Sequence, residues 1–374
     1  MSVDRMTKLV ARAVGLSPQQ LLDSFIPGAA EHLAGVLELR NTLFGASIHW
    51  DDKAYMTWRY RFGSTCAGRG DCWVLVLKGR LAGMVGTEEV ELERGAERIP
   101  AWSTMDIAID PQFEGSGLGS WMNMRLCQAA GCALTIGSNE KSLNMITRTF
   151  RRLPNRRSFV MPIRFQRILS KRLGGPALAN LIAPFVEGLA RLWRWVAFLG
   201  ATGALELKPL QSFDGDTTDL LQRSVDLSEW TLSRNIEFLN WRLFANPRVR
   251  YAVTGAFEGG VLMGYMATMQ RGDRDHPSST VLIDWSIDQT RFRPVFRALC
   301  ADAVRAAVNQ GVGAIEVTAY HPRSEALLHR MGFLPRYKAY DTIAVYSIDD
   351  SRLQRLLGSG PWFVTAANTD FDDL

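Results

Sequence analysis

The chain contains an internal repeat, and this repeat restricts the folds that it can adopt. Asn240-Trp241-Arg242-Leu243 matches Thr57-Trp58-Arg59-Tyr60, and Val281–Asp288 matches Thr104–Asp110 with an aspartate at both equivalent positions. One offset of about 180 residues aligns these stretches. With 374 residues, each copy is long enough to bury a core of its own. The sequence therefore predicts two tandem domains that share one fold.

Strand and helix patterns follow the same order in both copies. Each copy shows a hairpin, a longer strand, a helix, a short strand and a final helix. This order predicts an α/β fold of the α+β kind, with one mixed sheet per domain. The predicted segments are 1–154, 155–207 and 208–374. The first copy has a helix at Ala29–Phe44, strands at Trp73–Leu77, Leu81–Gly86, Thr104–Ile109 and Ala133–Ile136, and a last helix at Lys141–Arg152; the second has strands at Arg250–Phe257, Val261–Thr268, Val281–Asp288 and Ala314–Thr318 and a helix at Val295–Gln310.

A glycine-rich turn joins strand Thr104–Ile109 to the next helix in the first copy. Its glycines are Gly115, Gly117 and Gly119. Glycine places no Cβ between the backbone and a ligand, and the first N–H groups of a helix have no partner within the helix. Such a turn suits a phosphate group, although an ordinary glycine turn is the alternative. A P-loop is disfavoured because no Gly-Lys-Ser/Thr follows, and a Rossmann site because Glu140 fits its ribose-binding position poorly.

The same turn resembles the acyl-CoA motif of the GCN5-related N-acetyltransferase (GNAT) superfamily, Arg/Gln-x-x-Gly-x-Gly/Ala. The resemblance implies acetyl-CoA or another acyl-CoA as cofactor, with turn amides on the pyrophosphate and the strand backbone on the pantetheine arm. Glu114 stands where the family usually has Arg or Gln, so a side-chain contact to phosphate is not implied. Asn139 matches an asparagine with which the family often contacts the cofactor arm. Its alternative role is that of a helix N-cap. The implied cofactor-binding residues are Ile107, Ile109, Glu114, Gly115, Ser116, Gly117, Leu118, Gly119, Ser120 and Asn139.

The second copy extends the resemblance but lacks the turn. Ala314–Phe333 is similar to the GNAT segment that ends in a Gly-Phe pair, whereas Arg291–Val295 replaces the glycines with bulky residues and Pro294. The second copy is therefore expected to be a degenerate domain that shapes the substrate cleft. Tandem GNAT proteins with one silent copy and Fem-type aminoacyltransferases share this organisation.

Asp106 is the candidate general base, because the family often places an acidic residue on this strand. Apolar neighbours are expected to raise the pKa of Asp106 and so suit proton abstraction. The alternative is a structural role as a cap or ion-pair partner, shared with Asp284. His49 and His321 are weaker candidates. The family's usual tyrosine acid is missing, since Ile146 or Thr147 occupies that place in the first copy and Leu328 in the second.

Residues 155–207 have no counterpart in the repeat. They begin with arginines among apolar residues and continue as a long apolar stretch, which Pro184 bends and charged residues interrupt. A membrane-spanning helix is therefore disfavoured. One interpretation is a helical insertion that packs on the two domains. A second is a basic amphipathic hairpin that contacts an anionic membrane through 156–200. A third is a nucleotide-regulator site at Arg152 and Arg156.

Composition narrows the class of protein and its partners. Apolar residues make up 47% and charged residues 22%, which excludes a disordered chain. A net charge of +5 favours anionic partners such as nucleotides, phosphates or acidic lipids. Five cysteines without zinc-site spacing fit reduced cytoplasmic thiols, and no metal site is predicted. The N-terminus shows no signal-peptide core, so we expect a cytoplasmic protein, peripheral at the inner face of the plasma membrane if the insertion binds lipid.

The resemblance implies acetyl transfer from acetyl-CoA to an amine. Tandem members associated with bacterial exopolysaccharide synthesis point to an amino sugar or a related small-molecule or glycan acceptor, and nucleic acid is not an expected partner. Two alternatives remain open. One is a non-catalytic GNAT-fold sensor that binds acyl-CoA or an anionic nucleotide. The other is a Fem-type aminoacyltransferase, which would use aminoacyl-tRNA and no CoA.

Overall fold

A computed structural model describes residues 3–44, 53–62, 68–137, 140–154, 157–272, 277–336, 342–358 and 360–369. Within these ranges, the strands and helices alternate along the chain in two units. The helices are α1 Val3–Ala13, α2 Pro18–Asp23, α3 Leu33–Phe44, α4 Lys53–Arg59, α5 Leu118–Ala130, α6 Glu140–Thr149, α7 Gln166–Arg172, α8 Pro176–Phe198, α9 Gly215–Ser224, α10 Ile236–Leu243, α11 Phe292–Gln310, α12 Pro322–Arg330 and α13 Asp350–Gly358.

The strands form two sheets, one in each unit. The first sheet has the order β1-β3-β4-β5-β6-β16-β7, with β2 beside β3 and with β10 and β17 beyond β4. The second sheet has the order β15-β8-β14-β13-β12-β11-β9. The strands are β1 Phe25–Pro27, β2 Tyr60–Arg61, β3 Gly70–Leu77, β4 Arg80–Arg94, β5 Glu97–Ile109, β6 Cys132–Ile136, β7 Arg151–Arg152, β8 Arg157–Pro162, β9 Glu206–Leu210, β10 Trp230–Leu232, β11 Tyr251–Glu258, β12 Val261–Gly272, β13 Pro277–Ile287, β14 Ala314–Ala319, β15 Leu334–Arg336, β16 Ile343–Ser347 and β17 Trp362–Phe363.

Both sheets mix parallel and antiparallel pairs, which confirms the predicted tandem α/β fold. β5 is antiparallel to β4 and parallel to β6, and β13 is antiparallel to β12 and parallel to β14. A helix links each parallel pair, α5 in the first unit and α11 in the second. The buried residues Leu118, Trp121 and Met122 hold α5 against the first sheet. The two copies thus place a helix N-terminus at the same end of each sheet.

The two units exchange strands, since β10, β16 and β17 from the second half of the chain lie in the first sheet and β8 lies in the second. β16, from the end of the chain, lies between β6 and β7 in the first sheet, where Ile343 pairs with Ile136. β8, which follows the first unit, lies between β14 and β15 in the second sheet. Each unit therefore completes the sheet of the other. The predicted segments assign β8 to the insertion and β16 to the second domain, whereas β8 pairs in the second sheet and β16 in the first.

The rest of the insertion consists of the two helices α7 and α8. Pro184 lies inside α8 and does not end it. None of the helices in the described part of the chain has the length and apolar content that crossing a bilayer requires. Glu187 of α8 accepts a hydrogen bond from the backbone N–H of Phe165 at 2.9 Å, which ties the helix pair together.

The strand exchange predicts that damage to β16 destabilises the first unit, although β16 is far from it in sequence. Ile343 is fully buried in the first core, so Ile343→Ala should cost about 2–5 kcal/mol of unfolding free energy. Chemical denaturation measures the loss, and hydrogen exchange should show faster opening of β6. The exposed Val261→Ala is the control. Faster hydrogen exchange in β14 alone, with β6 unchanged, would contradict the placement of β16 in the first sheet.

Candidate functional site

Two neighbouring parallel strands part at the edge of the first sheet. The ladder between β5 and β6 ends at the pair Ser103–Leu134, although β5 continues to Ile109. Next to this point β5 carries a bulge, because Met84 pairs with Ala108 and Gly86 with Met105, which leaves two β5 residues opposite one residue of β4. A bulge leaves its extra residue unpaired. The backbone of β5 therefore faces a gap between the strands.

The glycine turn lies directly after this gap. Gly115 and Gly117 have φ of 82° and 84°, a backbone region that glycine adopts without strain. Gly117 is the N-cap of α5. A Cβ on Gly115 would point into open space, and one on Gly117 would meet only Val10 Cγ2 at 3.4 Å. Side chains therefore border the turn on one side and do not fill it.

The turn amides divide into two groups. The N–H groups of Glu114 and Ser116 donate to backbone oxygens at 3.1 Å, and that of Leu118 donates to Ser116 Oγ at 3.3 Å. The N–H groups of Gly115, Gly117, Gly119 and Ser120 make no hydrogen bond to any described residue. Four donors at a helix N-terminus thus have no partner within the described part of the chain, and the helix dipole favours an anion there.

The strand and the turn are in close contact. A Cβ on Gly119 would meet Ile109 Cγ1 at 3.3 Å and Ile107 Cγ2 at 3.6 Å. Gly119 therefore lets α5 approach the last residues of β5. The side chains of Ile107 and Ile109 pack with the core around α5, so only their backbone groups are offered to a ligand. Asn139 and His49 lie outside the described residues.

Asp106 is the acidic residue of the bulge, and its side chain is held by two partners. Arg40 Nη1 lies 3.1 Å from Asp106 Oδ1, and the Tyr60 hydroxyl donates to Oδ2. Burial acts to raise the pKa of Asp106, but the charge of Arg40, the hydrogen bond from Tyr60 and the charge of Arg59 outweigh it and lower that pKa. The expected raised pKa is wrong, because the sequence does not show that Arg40 packs on this strand.

The second copy builds the same cluster from other elements. Asp284 is fully buried and lies 3.0 Å from Arg234 Nη2, and the Tyr265 hydroxyl donates to it at 2.7 Å. Tyr60 comes from β2, whereas Tyr265 comes from β12. The sequence prediction that both aspartates have one structural role is consistent with this geometry.

The gap in the second sheet is filled by the chain itself. The ladder between β13 and β14 ends at Leu282–Val317, and the helical turn Ala366–Asn368 contacts both strands. Val364 pairs with Tyr320 just after β14, and Thr365 Oγ1 donates to Asp284 Oδ1 at 2.6 Å. α11 begins at Phe292 without a glycine turn, and Pro294 occupies its first turn. Residues of the chain itself therefore occupy this place in the second copy.

His321 lies in this second copy, in the wall of a cavity of about 580 Å³. Its side chain is buried, with Nδ1 2.5 Å from Ser324 Oγ and Nε2 3.2 Å from Glu229. Phe363 packs on the imidazole ring. Neither ring nitrogen is directed at the glycine turn of the first copy, so the structure does not bring His321 to that site.

A second cavity, of about 560 Å³, lies between the two units. Ser103 of β5 and Phe238 of α10 line it from opposite sides. Ser103 is four residues before Ile107, which is about 13 Å along a strand. The cavity thus adjoins the gap at the end away from the glycine turn. Its wall carries carboxylates, guanidinium groups, small polar groups and aromatic rings: Glu88, Glu89, Glu91, Arg59, Arg69, Ser233, Asn235, Asn368 and Trp102.

Solved structures of N-acyltransferases share the fold that places these parted strands beside a helix N-terminus. A GCN5-related N-acetyltransferase from Anabaena variabilis superposes with a TM-score of 0.61 at 12% identity, over 87% of this chain and 73% of that chain. N-myristoyltransferase of Saccharomyces cerevisiae with bound myristoyl-CoA superposes with a TM-score of 0.55 at 13% identity, over 87% and 79%.

A tandem GNAT protein from the clavulanic acid biosynthesis pathway gives a TM-score of 0.50 at 14% identity, over 86% of this chain and 96% of that chain. No protein-family model matches the chain, and a search of curated proteins finds no match. At these identities the likeness establishes the fold alone. It confirms the predicted tandem GNAT-like architecture.

The Asp106–Arg40 pair predicts a pH-dependent stability. Because the pKa of Asp106 is lower in the folded protein than in the unfolded chain, the pair stabilises the fold fully above the unfolded value of about 3.9. The contribution is lost as the pH falls through the folded-state pKa. Asp106→Asn should cost about 3–5 kcal/mol near pH 7. The Tm difference from the wild type should shrink below about pH 4.

Thermal melts of both proteins from pH 3 to pH 7 measure this effect. Asp71→Asn, which removes the exposed ion pair with Arg61, is the control and should change Tm little at any pH. If Asp106→Asn melted like the wild type yet lost its activity, a catalytic role for Asp106 would replace the structural one.

Proposed function

We propose that this chain is an acyl-CoA-dependent N-acyltransferase whose cofactor binds to the first copy only. The strongest support comes from four N–H groups next to the gap between β5 and β6, which have no hydrogen-bond partner among the residues that the structure describes: Gly115, Gly117, Gly119 and Ser120. A pyrophosphate provides several acceptor oxygens and the negative charge that this helix N-terminus favours. The bound thioester supplies the activated acyl group.

The residues of β5 would orient that acyl group. Beyond Ser103 the strand has backbone groups without a β6 partner, which suit the amide groups of an extended pantetheine arm. The bulge at Asp106 and Ile107 turns a backbone N–H out of the ladder. Such a fixed donor can stabilise the oxygen on which negative charge develops during acyl transfer.

Asp106 is better suited to holding this geometry than to removing a proton. Its lowered pKa makes it a weak base, and Arg40 and Tyr60 occupy both carboxylate oxygens. Its φ of 52° is unfavourable for a non-glycine residue, and the two partners hold it there. Asp106 as the general base stays a prediction, and we assign it a positioning role in this proposal.

The acceptor in our proposal is an amine on a polar scaffold, such as an amino sugar. The cavity between the units supports this choice through Glu89, whose carboxylate suits a cationic amine, whereas Glu88 pairs with Arg59 and Arg69. Its hydroxyl and amide groups suit a polyhydroxylated ligand, and its aromatic rings suit the C–H face of a sugar. A role in exopolysaccharide or cell-envelope synthesis stays a prediction from the sequence resemblance.

A non-catalytic sensor of acyl-CoA is the second candidate, and one observation favours it. The place of the family's tyrosine acid holds the buried Ile146 or the exposed Thr147 on α6, neither of which can protonate a leaving thiolate. The sensor would keep the amide cradle and lose only the transfer step. The Fem-type alternative has no specific support from the amide cradle, because it does not require CoA.

Ser120→Pro tests the cradle by removing one N–H group and adding little bulk. Ser120 is the third residue of α5, a position where proline is tolerated, and Pro294 occupies the same position of α11. A hydrogen bond to a charged group contributes about 1.5–3 kcal/mol, so acetyl-CoA should bind about 10- to 100-fold more weakly. Isothermal titration measures the affinity.

Ser120→Ala keeps the N–H group and should bind like the wild type. Both variants should keep the wild-type Tm. Equal acetyl-CoA affinities for the proline and alanine variants would show that the cradle does not hold the cofactor. No binding to the wild type would remove the acyl-CoA assignment altogether.

Transfer itself is measured as release of free CoA thiol from acetyl-CoA. We expect release that depends on an added amino sugar and that rises with pH as the amine loses its proton. N-acetylglucosamine, in which the amine is already blocked, should give no release above background. Binding of acetyl-CoA without acceptor-dependent release across a panel of amines would favour the sensor.

A further inference from the structure

We infer that α8 is a docking surface for an anionic lipid bilayer. One stripe of α8 consists of large apolar side chains spaced three and four residues apart, all directed away from the protein. Each is between 51% and 73% exposed, and together they form one contiguous stripe, whereas other exposed apolar residues such as Leu227 are scattered. The stripe contains Leu178, Leu181, Phe185, Leu189, Leu192 and Val196.

The polarity of α8 is opposite to that of an ordinary surface helix. The side of α8 that faces the protein carries two alanines and an arginine: Ala179 and Ala183 are buried, and Arg194 is 8% exposed and donates to the Pro162 carbonyl at 3.1 Å. Burial and the neighbouring charge of Arg191 lower the pKa of Arg194. Surface helices normally direct their apolar stripe at the core. A contiguous exposed apolar stripe marks an interaction site.

The charges around the stripe are positive. Residues 164–200 contain six basic residues and one acidic residue, so they carry a net charge equal to the +5 of the whole chain. Lys171 and Arg172 end α7, and Arg191 lies on the flank of the stripe; all three are exposed. The one acidic residue, Glu187, is bonded to the backbone of Phe165. An anionic surface is the complement of this arrangement.

A groove beside the stripe fits a lipid headgroup. It lies between α8 and α11 and has a volume of about 350 Å³. Arg191 and Arg305 line it together with Trp195, Leu199 and Val308. Arg305 also pairs with Asp302 at 3.1 Å. Guanidinium groups above an apolar floor match a phosphate at the top of an acyl chain, and an exposed tryptophan is typical of the membrane interface.

A bilayer suits this surface better than a second copy of the chain. In a twofold dimer, the same patch meets itself. The basic flank formed by Lys171, Arg172 and Arg191 would then lie in an interface with the same basic flank of the other copy, and like charges in an interface repel. A bilayer that contains anionic lipid covers the apolar stripe and neutralises the basic flank together.

Vesicle flotation tests the inference on the full chain. One sample contains phosphatidylcholine vesicles and the other a 7:3 mixture of phosphatidylcholine and phosphatidylglycerol, a composition chosen to be roughly that of an anionic leaflet. The protein should float with the mixed vesicles and bind phosphatidylcholine at least about tenfold more weakly. Raising the salt to about 0.5 M should weaken binding, because it screens the basic flank.

Two variants separate the apolar and basic contributions. Phe185→Glu with Leu189→Glu should abolish flotation, whereas Leu227→Glu, at an exposed apolar residue elsewhere, should not change it. Replacing Lys171, Arg172 and Arg191 with glutamine should remove the preference for anionic vesicles. Thermal melts confirm that each variant is folded, and all substituted side chains are exposed.

Three results would overturn the inference. The first is no flotation of the wild type with anionic vesicles at low salt. The second is flotation that Phe185→Glu with Leu189→Glu leaves unchanged. The third is a dimer in analytical ultracentrifugation that these two substitutions dissociate, which would assign the stripe to a second copy. None of these results depends on acyl transfer.

Discussion

Unpaired backbone groups at parted strands are the constraint on which both units depend. A parallel pair that ends early leaves N–H and C=O groups that must find other partners. In the second unit, the C-terminal segment supplies such partners, because Val364 and Tyr320 exchange two backbone hydrogen bonds. In the first unit, the parted strands lead to four free amides. The two units thus share one architecture, but the chain itself fills the gap in the second unit, whereas the gap in the first unit suits a ligand.

The bulge aspartates hold these gaps in shape. Asp106 and Asp284 each bind an arginine and a tyrosine hydroxyl, although the tyrosines come from different elements. A buried ionised carboxylate is costly unless it is paired and hydrogen-bonded, so each cluster must be complete. The same cluster occurs in the second unit, where the gap is filled by the chain itself. This recurrence indicates that the main role of the cluster is to position the strand. The exchanged strands β8 and β16 then join the units into one structure.

The features of the fold that depend on residues close together in the sequence could be predicted from local patterns. The repeat, the hairpins, the glycine turn and the order of strand and helix are all found in the structure, with strands extended by several residues, as in β5. The strand exchange was missed because β8 and β16 are short apolar strands whose sequence does not specify a neighbour. The partners of Asp106 were missed because Arg40 is 66 positions away in the chain. The sequence could predict that the backbone N–H groups of the glycine turn form an anion site. Only the structure distinguishes the four groups that are available to a ligand from those that donate to other atoms of the turn.

In the insertion, too, the sequence predicted the type of element but not its contacts. Its arginines and apolar residues predicted an amphipathic hairpin, and periodicity alone did not tell which face is covered. The structure places Arg194 inward and Phe185 outward, the reverse of a helix that packs by its apolar stripe. This orientation depends on contacts with β8 and α11, such as Arg194 with Pro162 and Arg297 with Ala197.

Hydrogen exchange with and without acetyl-CoA tests the central claim most directly. The claim is that a diphosphate binds the free amides of the first copy and that the second copy has no such site. Added acetyl-CoA should slow exchange in peptides covering 104–109 and 113–121 and leave 283–296 unchanged. Slower exchange at 283–296, or no change at 113–121, would contradict the account.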